Sequence, residues 1–246
     1  MQTSTRSGSG CLGVLAATTL LALTGCVDVE QTLSLKPDGS GLFKVRYGMR
    51  ADELKRMEEL SKMAAEIEGI TPEEASDSPF DFNEEDIRND FVEYRPEDVK
   101  LEAVQITETN GWKYVNLDIS FKRLEGLLKT DFVSDESITL TRSGTDTYTF
   151  RHAPPVEKAS ETKLEGMDAG AINDLMAGMM KGFRAVLRVE VPGTVQETNA
   201  DTHDTTSATW SYDLEKDTNA LRRAQTQEMT LTFSGKDLHL PELAPQ

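Results

Sequence analysis

Apolar and polar residues alternate along several short stretches of the chain, and a period of two is typical of strands with one buried face. The first stretch starts at Val27 and runs to Leu35, and Phe43 to Met49 repeats the pattern. The turn-forming segment Pro37–Gly41 separates the two stretches. The pattern therefore predicts a β-hairpin at the start of this region.

Later stretches show the same alternation, and four of them pair to form two further hairpins. One pairs residues 99–107 with 112–121 around Thr109-Asn110-Gly111, and another pairs 138–142 with 147–152 around 143–146. Three separate strands are predicted near the end of the chain, at residues 185–191, 208–214 and 229–233.

Helical periodicity appears in two longer segments, Ala51 to Glu68 and Leu164 to Gly182. Shorter helices are indicated at 83–91 and 124–130. The second long segment is rich in methionine, whose pliable side chain adapts to varied apolar shapes. Its apolar residues are possible lining for an apolar ligand, and the alternative is that they are ordinary core: Leu175, Met176, Met179 and Phe183.

These elements do not alternate strictly between strand and helix, and hairpins imply antiparallel pairing. The predicted fold class is α+β. We expect an antiparallel sheet of about nine strands built from hairpins, with two main helices packed on it. Residues 26–246 are expected to form a single domain.

The first 25 residues have the parts of an export signal: a polar start with Arg6, then a short apolar run from Leu12 to Leu23. This run is too short to span a membrane as a helix. Leu23-Thr24-Gly25-Cys26 resembles the lipobox of bacterial lipoproteins at every position. The resemblance implies cleavage after Gly25 and acyl chains, such as palmitate, on Cys26.

The residue after the cysteine indicates the membrane to which the lipoprotein is sorted. Val27 occupies this position rather than aspartate. By resemblance to the sorting rule of enteric bacteria, this favours the outer membrane if the host has one, and otherwise the cell membrane. We expect the lipid on Cys26 to be the anchor, and the first strand starts with almost no linker after it.

The chain is strongly acidic, with a formal net charge of −17. Such a surface repels nucleic acid and anionic lipid. Between Glu73 and Asp98 there are eleven acids and two arginines, and we treat residues 71–98 as an acidic excursion from the domain. This excursion is a candidate surface for a protein partner, and the alternative is a solvated loop. An EF-hand starting at Asp81 fails, because Asp86 occupies the glycine position.

The sequence shows no catalytic motif, so we expect no enzyme, no cofactor and no metal site. The histidines are widely separated, and no nucleophile elbow or phosphate-binding glycine loop is present. Cys11 precedes the apolar run and would be removed with the signal. Because Cys26 would carry lipid, neither a disulfide nor a cysteine nucleophile is expected.

A strand ending in Pro-Gly193, then Asn199-Ala200, then a strand bearing Trp210 resembles the closing motif of the LppM-type lipoprotein domain. The lipobox followed by an Asp-Gly hairpin is similar too. Together these motifs cover about a third of the chain and leave its acidic middle unmatched. The resemblance implies an envelope lipoprotein with an antiparallel α+β domain and suggests lipid-like ligands. It supplies no catalytic residues.

Two functions from different classes follow. The first is a lipid-anchored envelope protein that binds a lipid or other apolar ligand without catalysis. The second is a structural or interaction lipoprotein whose acidic surface engages a protein partner.

Overall fold

The computed structural model describes residues 27–68, 82–93, 95–130, 138–154, 182–236, 238 and 240–243. These residues form an α+β fold of two sheets and short helices. The elements in chain order are β1 (Val27–Leu35), β2 (Gly41–Arg50), α1 (Ala51–Glu68), α2 (Glu84–Glu93), β3 (Val99–Thr109), β4 (Trp112–Phe121), α3 (Leu124–Leu128), β5 (Ile138–Ser143), β6 (Thr147–His152), β7 (Arg184–Glu190), β8 (Val195–Thr198), β9 (Thr202–His203), β10 (Ser207–Asp213), α4 (Ala220–Thr226) and β11 (Met229–Ser234).

The larger sheet has seven strands in the order β3-β4-β2-β1-β7-β10-β9. All of its neighbours are antiparallel except β1 and β7, which pair in parallel from Asp28↔Arg184 to Ser34↔Glu190. The prediction of a purely antiparallel sheet was therefore wrong at its centre. Parallel neighbours need a crossover connection, and a hairpin pattern carries no signal for one.

The smaller sheet has four antiparallel strands in the order β5-β6-β11-β8. The expectation of a single sheet of about nine strands was wrong, since the described residues form eleven strands in two sheets. The two strands that were not predicted, β8 and β9, are short and polar, so they show no apolar period. Leu243 pairs with Leu140 and covers the outer edge of β5.

The core is one continuous cluster to which both sheets contribute their apolar faces. Fully buried aromatic residues dominate it, including Tyr47 and Trp210 from the larger sheet and Tyr148, Phe150 and Phe233 from the smaller one. Burying each such side chain contributes about 1.5–3 kcal/mol to folding. The opposite face of the larger sheet is polar and charged.

Turn chemistry explains why the hairpins form where the sequence predicts. The β3–β4 turn has Asn110 at φ 51° and Gly111 at φ 76°. Two successive positive φ values are typical of a type I′ turn, whose twist matches that of the flanking strands. Asn-Gly is a residue pair that favours this turn. This predicted turn is confirmed, as are the two other hairpins.

The helices differ in how well they can be compared with the predictions. The helix over Ala51–Glu68 is confirmed, and Leu54 packs against the core. The short helix α2 docks through Ile87 and Phe91, one turn apart and both buried. Apart from Gly182, the predicted helix Leu164 to Gly182 lies outside the described residues.

Candidate functional site

Only one of the residues predicted to form a ligand or lipid site is described by the structure. Phe183 is 6% exposed and belongs to the core. Its carbonyl accepts a hydrogen bond from the backbone N–H of Leu214, at 3.1 Å. The other predicted site residues lie outside the described residues: Cys26, Leu175, Met176 and Met179.

Six strands of the larger sheet share one end, which we call the anchor edge because Val27 starts there, directly after Cys26. Registers across neighbouring strands define it: Val27↔Met49, Arg50↔Trp112, Thr109↔Trp112, Asp28↔Arg184 and Asp213↔Arg184. The anchor edge consists of the last two residues of each strand at this end, with the turn Asn110–Gly111. Phe183 immediately precedes β7, so the chain enters the sheet at this edge.

Aromatic side chains stack beside the anchor edge on the polar face of the sheet. The half-buried ring of Trp112 is stacked on Tyr114, with 5.7 Å between centroids and 10° between planes. Tyr114 lies across Gly48, where a Cβ atom would overlap its ring, and the guanidinium of Arg46 is 3.7 Å from the ring centroid. Burial, followed by the charge of Asp28, raises the pKa of Tyr114.

Two carboxylates and two guanidiniums alternate next to this aromatic stack. Asp28 contacts Arg184 at 2.8 Å and Arg46 at 3.3 Å, and Glu30 contacts the same arginines at 2.6 and 3.4 Å. Burial opposes the charge of Arg184, but hydrogen bonds to Glu30 and Asp28 raise its pKa. The four charges compensate one another, and their contacts link β1 to its neighbours β2 and β7.

A second polar cluster, centred on Asn199, joins the two sheets. Its Oδ1 accepts hydrogen bonds from Trp210 Nε1 at 3.0 Å and from the Thr230 backbone N–H at 2.9 Å. Its Nδ2 donates to the Glu228 carbonyl at 2.6 Å. Asn199 therefore ties β10 of the larger sheet to β11 of the smaller sheet through one side chain.

Among the described residues, the carboxyl group with the largest pKa shift lies in the turn between β9 and β10. Asp204 accepts hydrogen bonds from the Thr206 backbone N–H at 2.8 Å and from the Ser207 hydroxyl at 2.9 Å. These donors lower the pKa of Asp204 to about 2, and Arg188 adds to the effect. This side chain closes a turn, which explains its shift without a catalytic role.

No metal-binding group of three or more His, Cys, Asp or Glu side chains occurs among the described residues. His203 lies between Asp201 and Asp204 in the sequence. Asp201 accepts the Ser211 backbone N–H and pairs with Arg223, so its oxygens are already engaged. None of the helices in the described ranges is long and apolar enough to span a bilayer.

Sequence patterns did not identify the Asp28–Arg184 contact or the aromatic stack on Trp112. Both depend on which strands become neighbours, and β1 meets β7 across more than 150 residues of chain. The sequence did show polar alternation in β1 and a tryptophan at the start of a return strand. Many strands have these features, so they do not identify a site.

Comparisons with known proteins give the class and the family. A family model identifies this α+β fold, whose first strand comes directly after Cys26, as the domain of an envelope lipoprotein. The model of the LppM domain family matches residues 61–227, and the chain belongs to this family. The suspected resemblance is confirmed. The match begins after the first hairpin and includes the acidic segment, so it is wider than the motifs indicated.

A likeness to a solved structure accompanies the family match. The NMR structure of the folded domain of Mycobacterium tuberculosis LppM aligns with a TM-score of 0.44 and 12% sequence identity. The alignment covers 87% of this chain and 93% of that one. A search of curated proteins gives no match.

Proposed function

We propose that the protein is a lipid-anchored component of the cell envelope that binds a lipid or other apolar ligand without catalysing a reaction. The anchor is acylated Cys26, and Val27 after it favours the outer membrane where the host has one. Family membership supports the envelope location. The acylation of Cys26, the ligand and the membrane are the proposed parts.

The observation that supports ligand binding is the position of Phe183. The methionine-rich segment leads into β7 through this buried residue, and β7 starts at the anchor edge beside β1. The candidate lining residues Leu175, Met176 and Met179 precede Phe183 by four to eight residues in the sequence, and we propose that they lie near this end of the sheet. An apolar site there would lie within reach of membrane lipid, and adaptable methionines suit varied acyl chains.

Native mass spectrometry of the acylated protein, extracted with mild detergent, tests this proposal. The proposal predicts a noncovalent lipid adduct in addition to the acyl chains on Cys26. Replacing Met176 and Met179 together with glutamine should remove the adduct and leave the acylation unchanged. The matched control is Met63→Gln, because Met63 is 59% exposed on α1. An adduct that survives the double substitution, or no adduct in the wild type, would contradict ligand binding.

A second candidate function is capture of a protein partner by the acidic excursion, residues 71–98. The observation in its favour is the orientation of α2, which buries Ile87 and Phe91. Four acids of this helix are exposed: Glu84, Glu85, Asp86 and Asp90. Val92 lies among these acids and is 66% exposed. An acidic surface with an apolar residue suits a basic partner with a small apolar contact.

Charge reversal tests this second function better than deletion. Deleting residues 73–98 would also remove Ile87 and Phe91 from the core. Replacing Glu84, Glu85 and Asp86 with lysine changes only exposed positions. Crosslinking in the envelope should then lose the partner, while circular dichroism of the variant is unchanged. Unaltered crosslinking would count against a role for this surface.

A further inference from the structure

We propose that the anchor edge of the larger sheet rests against the headgroup layer of the membrane, with Trp112 as its interfacial side chain. The proposal rests on the acylation of Cys26 that is part of the proposed function. It does not depend on whether the domain binds a ligand.

Covalent geometry limits how far the anchor edge can lie from the lipid. Consecutive Cα atoms are about 3.8 Å apart, and Val27 is the residue after Cys26. Val27 is already paired with Met49 in the sheet, so no flexible tether separates anchor and domain. Adjacent strands are about 4.8 Å apart, and β4 is two strands from β1. Trp112 therefore starts its strand roughly 10 Å from Val27 across the sheet.

The side chains at this edge suit the interface between water and lipid. Trp112 is half-buried, and the tip of the β3–β4 hairpin, residues 107–111, is exposed throughout. Tryptophan is enriched at membrane interfaces because its ring is apolar and its N–H is polar. Arg50 is paired with Trp112 across the strands, and its side chain is 45% exposed. Arginine beside tryptophan at a strand end is a favourable arrangement for headgroup contact.

The charge of the anchor edge differs from that of the whole chain. The chain carries a net charge of −17, and anionic headgroups repel such a surface. The terminal residues that define the anchor edge carry three cations and three acids, which sum to zero: Arg50, Lys113 and Arg184 with Asp28, Glu108 and Asp213. Asp52, which pairs with Arg50, adds one acid next to this edge. An acidic domain held directly at a bilayer therefore has an electrostatic reason to present this edge to the lipid.

The two tryptophans of the chain make the proposal measurable by fluorescence. Trp112 is at the anchor edge, and Trp210 is fully buried in the core. The full acylated protein is reconstituted into phosphatidylcholine vesicles, with or without a nitroxide on the choline headgroup. The difference in emission between wild type and Trp112→Phe gives the Trp112 component. Phenylalanine retains a ring to stack on Tyr114, so the variant should fold.

The expected result is that headgroup nitroxide at least halves the Trp112 component and leaves the emission of Trp112→Phe unchanged. Flotation of the vesicles in a density gradient reports anchoring separately. Protein that floats while its Trp112 component is insensitive to nitroxide would overturn the orientation and leave the ligand proposal intact. Protein that does not float would overturn both the anchor and the orientation.

Discussion

Removing the side chain of Asn199 should destabilise the domain far more than an ordinary loss of a polar surface residue. In Asn199→Ala, Trp210 Nε1 loses the acceptor that lies 3.0 Å away. Trp210 is fully buried, but the bond is only part-buried because Asn199 is exposed, so water replaces that acceptor only in part. The Thr230 N–H and the Glu228 carbonyl lose partners too, but both bonds are exposed and can be rehydrated.

The expected cost can be worked out from these three bonds. A buried donor left without an acceptor costs about 1–3 kcal/mol. The two exposed bonds add a smaller amount, since each net hydrogen bond contributes about 1 kcal/mol and water recovers part of it. The free energy of unfolding should therefore fall by about 2–4 kcal/mol. For a domain of this size, this corresponds to a decrease in Tm of about 4–16 °C.

Urea unfolding followed by circular dichroism and by tryptophan emission measures this cost. The matched control is Asn116→Ala, since Asn116 lies on the solvent-facing side of β4 and makes one exposed hydrogen bond, to the Gln105 carbonyl. That variant should stay within about 0.5 kcal/mol of the wild type. Equal costs for the two substitutions would refute the role of Asn199 as the link between the sheets.

Three further substitutions follow from the structure. Gly193→Ala should lower the free energy of unfolding in urea by about 3 kcal/mol or more, because its Cβ would overlap a backbone oxygen of β11. Gly144→Asn, at an open position with φ 66°, should be nearly neutral. Similar costs for the two substitutions would contradict the steric explanation. Because its folded-state pKa is depressed to about 2 from 3.8, Asp204 stabilises the fold above pH ~4. The Tm of the wild type should exceed that of Asp204→Asn at neutral pH, and this difference should disappear as the pH falls towards 2. A difference in Tm that does not change with pH would refute this explanation. Ile87→Ala should cost about 2–5 kcal/mol and accelerate hydrogen exchange in α2, whereas Val92→Ala, at a 66% exposed position, should do neither.

Local elements could be predicted from the sequence because neighbouring residues determine them. Asn110-Gly111 between two alternating strands is a strong signal for a two-residue turn, because these two residues tolerate the positive φ values that the turn requires. The helix over Ala51–Glu68 follows similarly from its period and its acidic first turn. Such features do not depend on the rest of the fold.

Long-range pairing could not be predicted in this way. The parallel contact between β1 and β7 and the division into two sheets depend on strands that are far apart in sequence. The polar strand β8 pairs with β11 largely through its backbone, so its side chains show no alternation. Single-sequence periodicity reports which face of a strand is buried and leaves its neighbour undetermined.

The candidate site also combines local features, which the sequence predicts, with long-range features, which it does not. Cys26 and the acidic excursion are local signals, so the sequence could name them. The balanced charges and Trp112 at the anchor edge come together only because six strand ends meet. The sequence contains every one of these residues, but only the strand registers show that they share an edge with Val27.

The most direct test of the central claim is peptide mass spectrometry of the mature amino terminus. The account predicts a chain that starts at Cys26, with diacylglycerol on its sulfur and Val27 as the next residue. An unmodified Cys26 within a peptide that begins at an earlier residue would contradict the anchor. It would also contradict the membrane-facing edge that depends on the anchor.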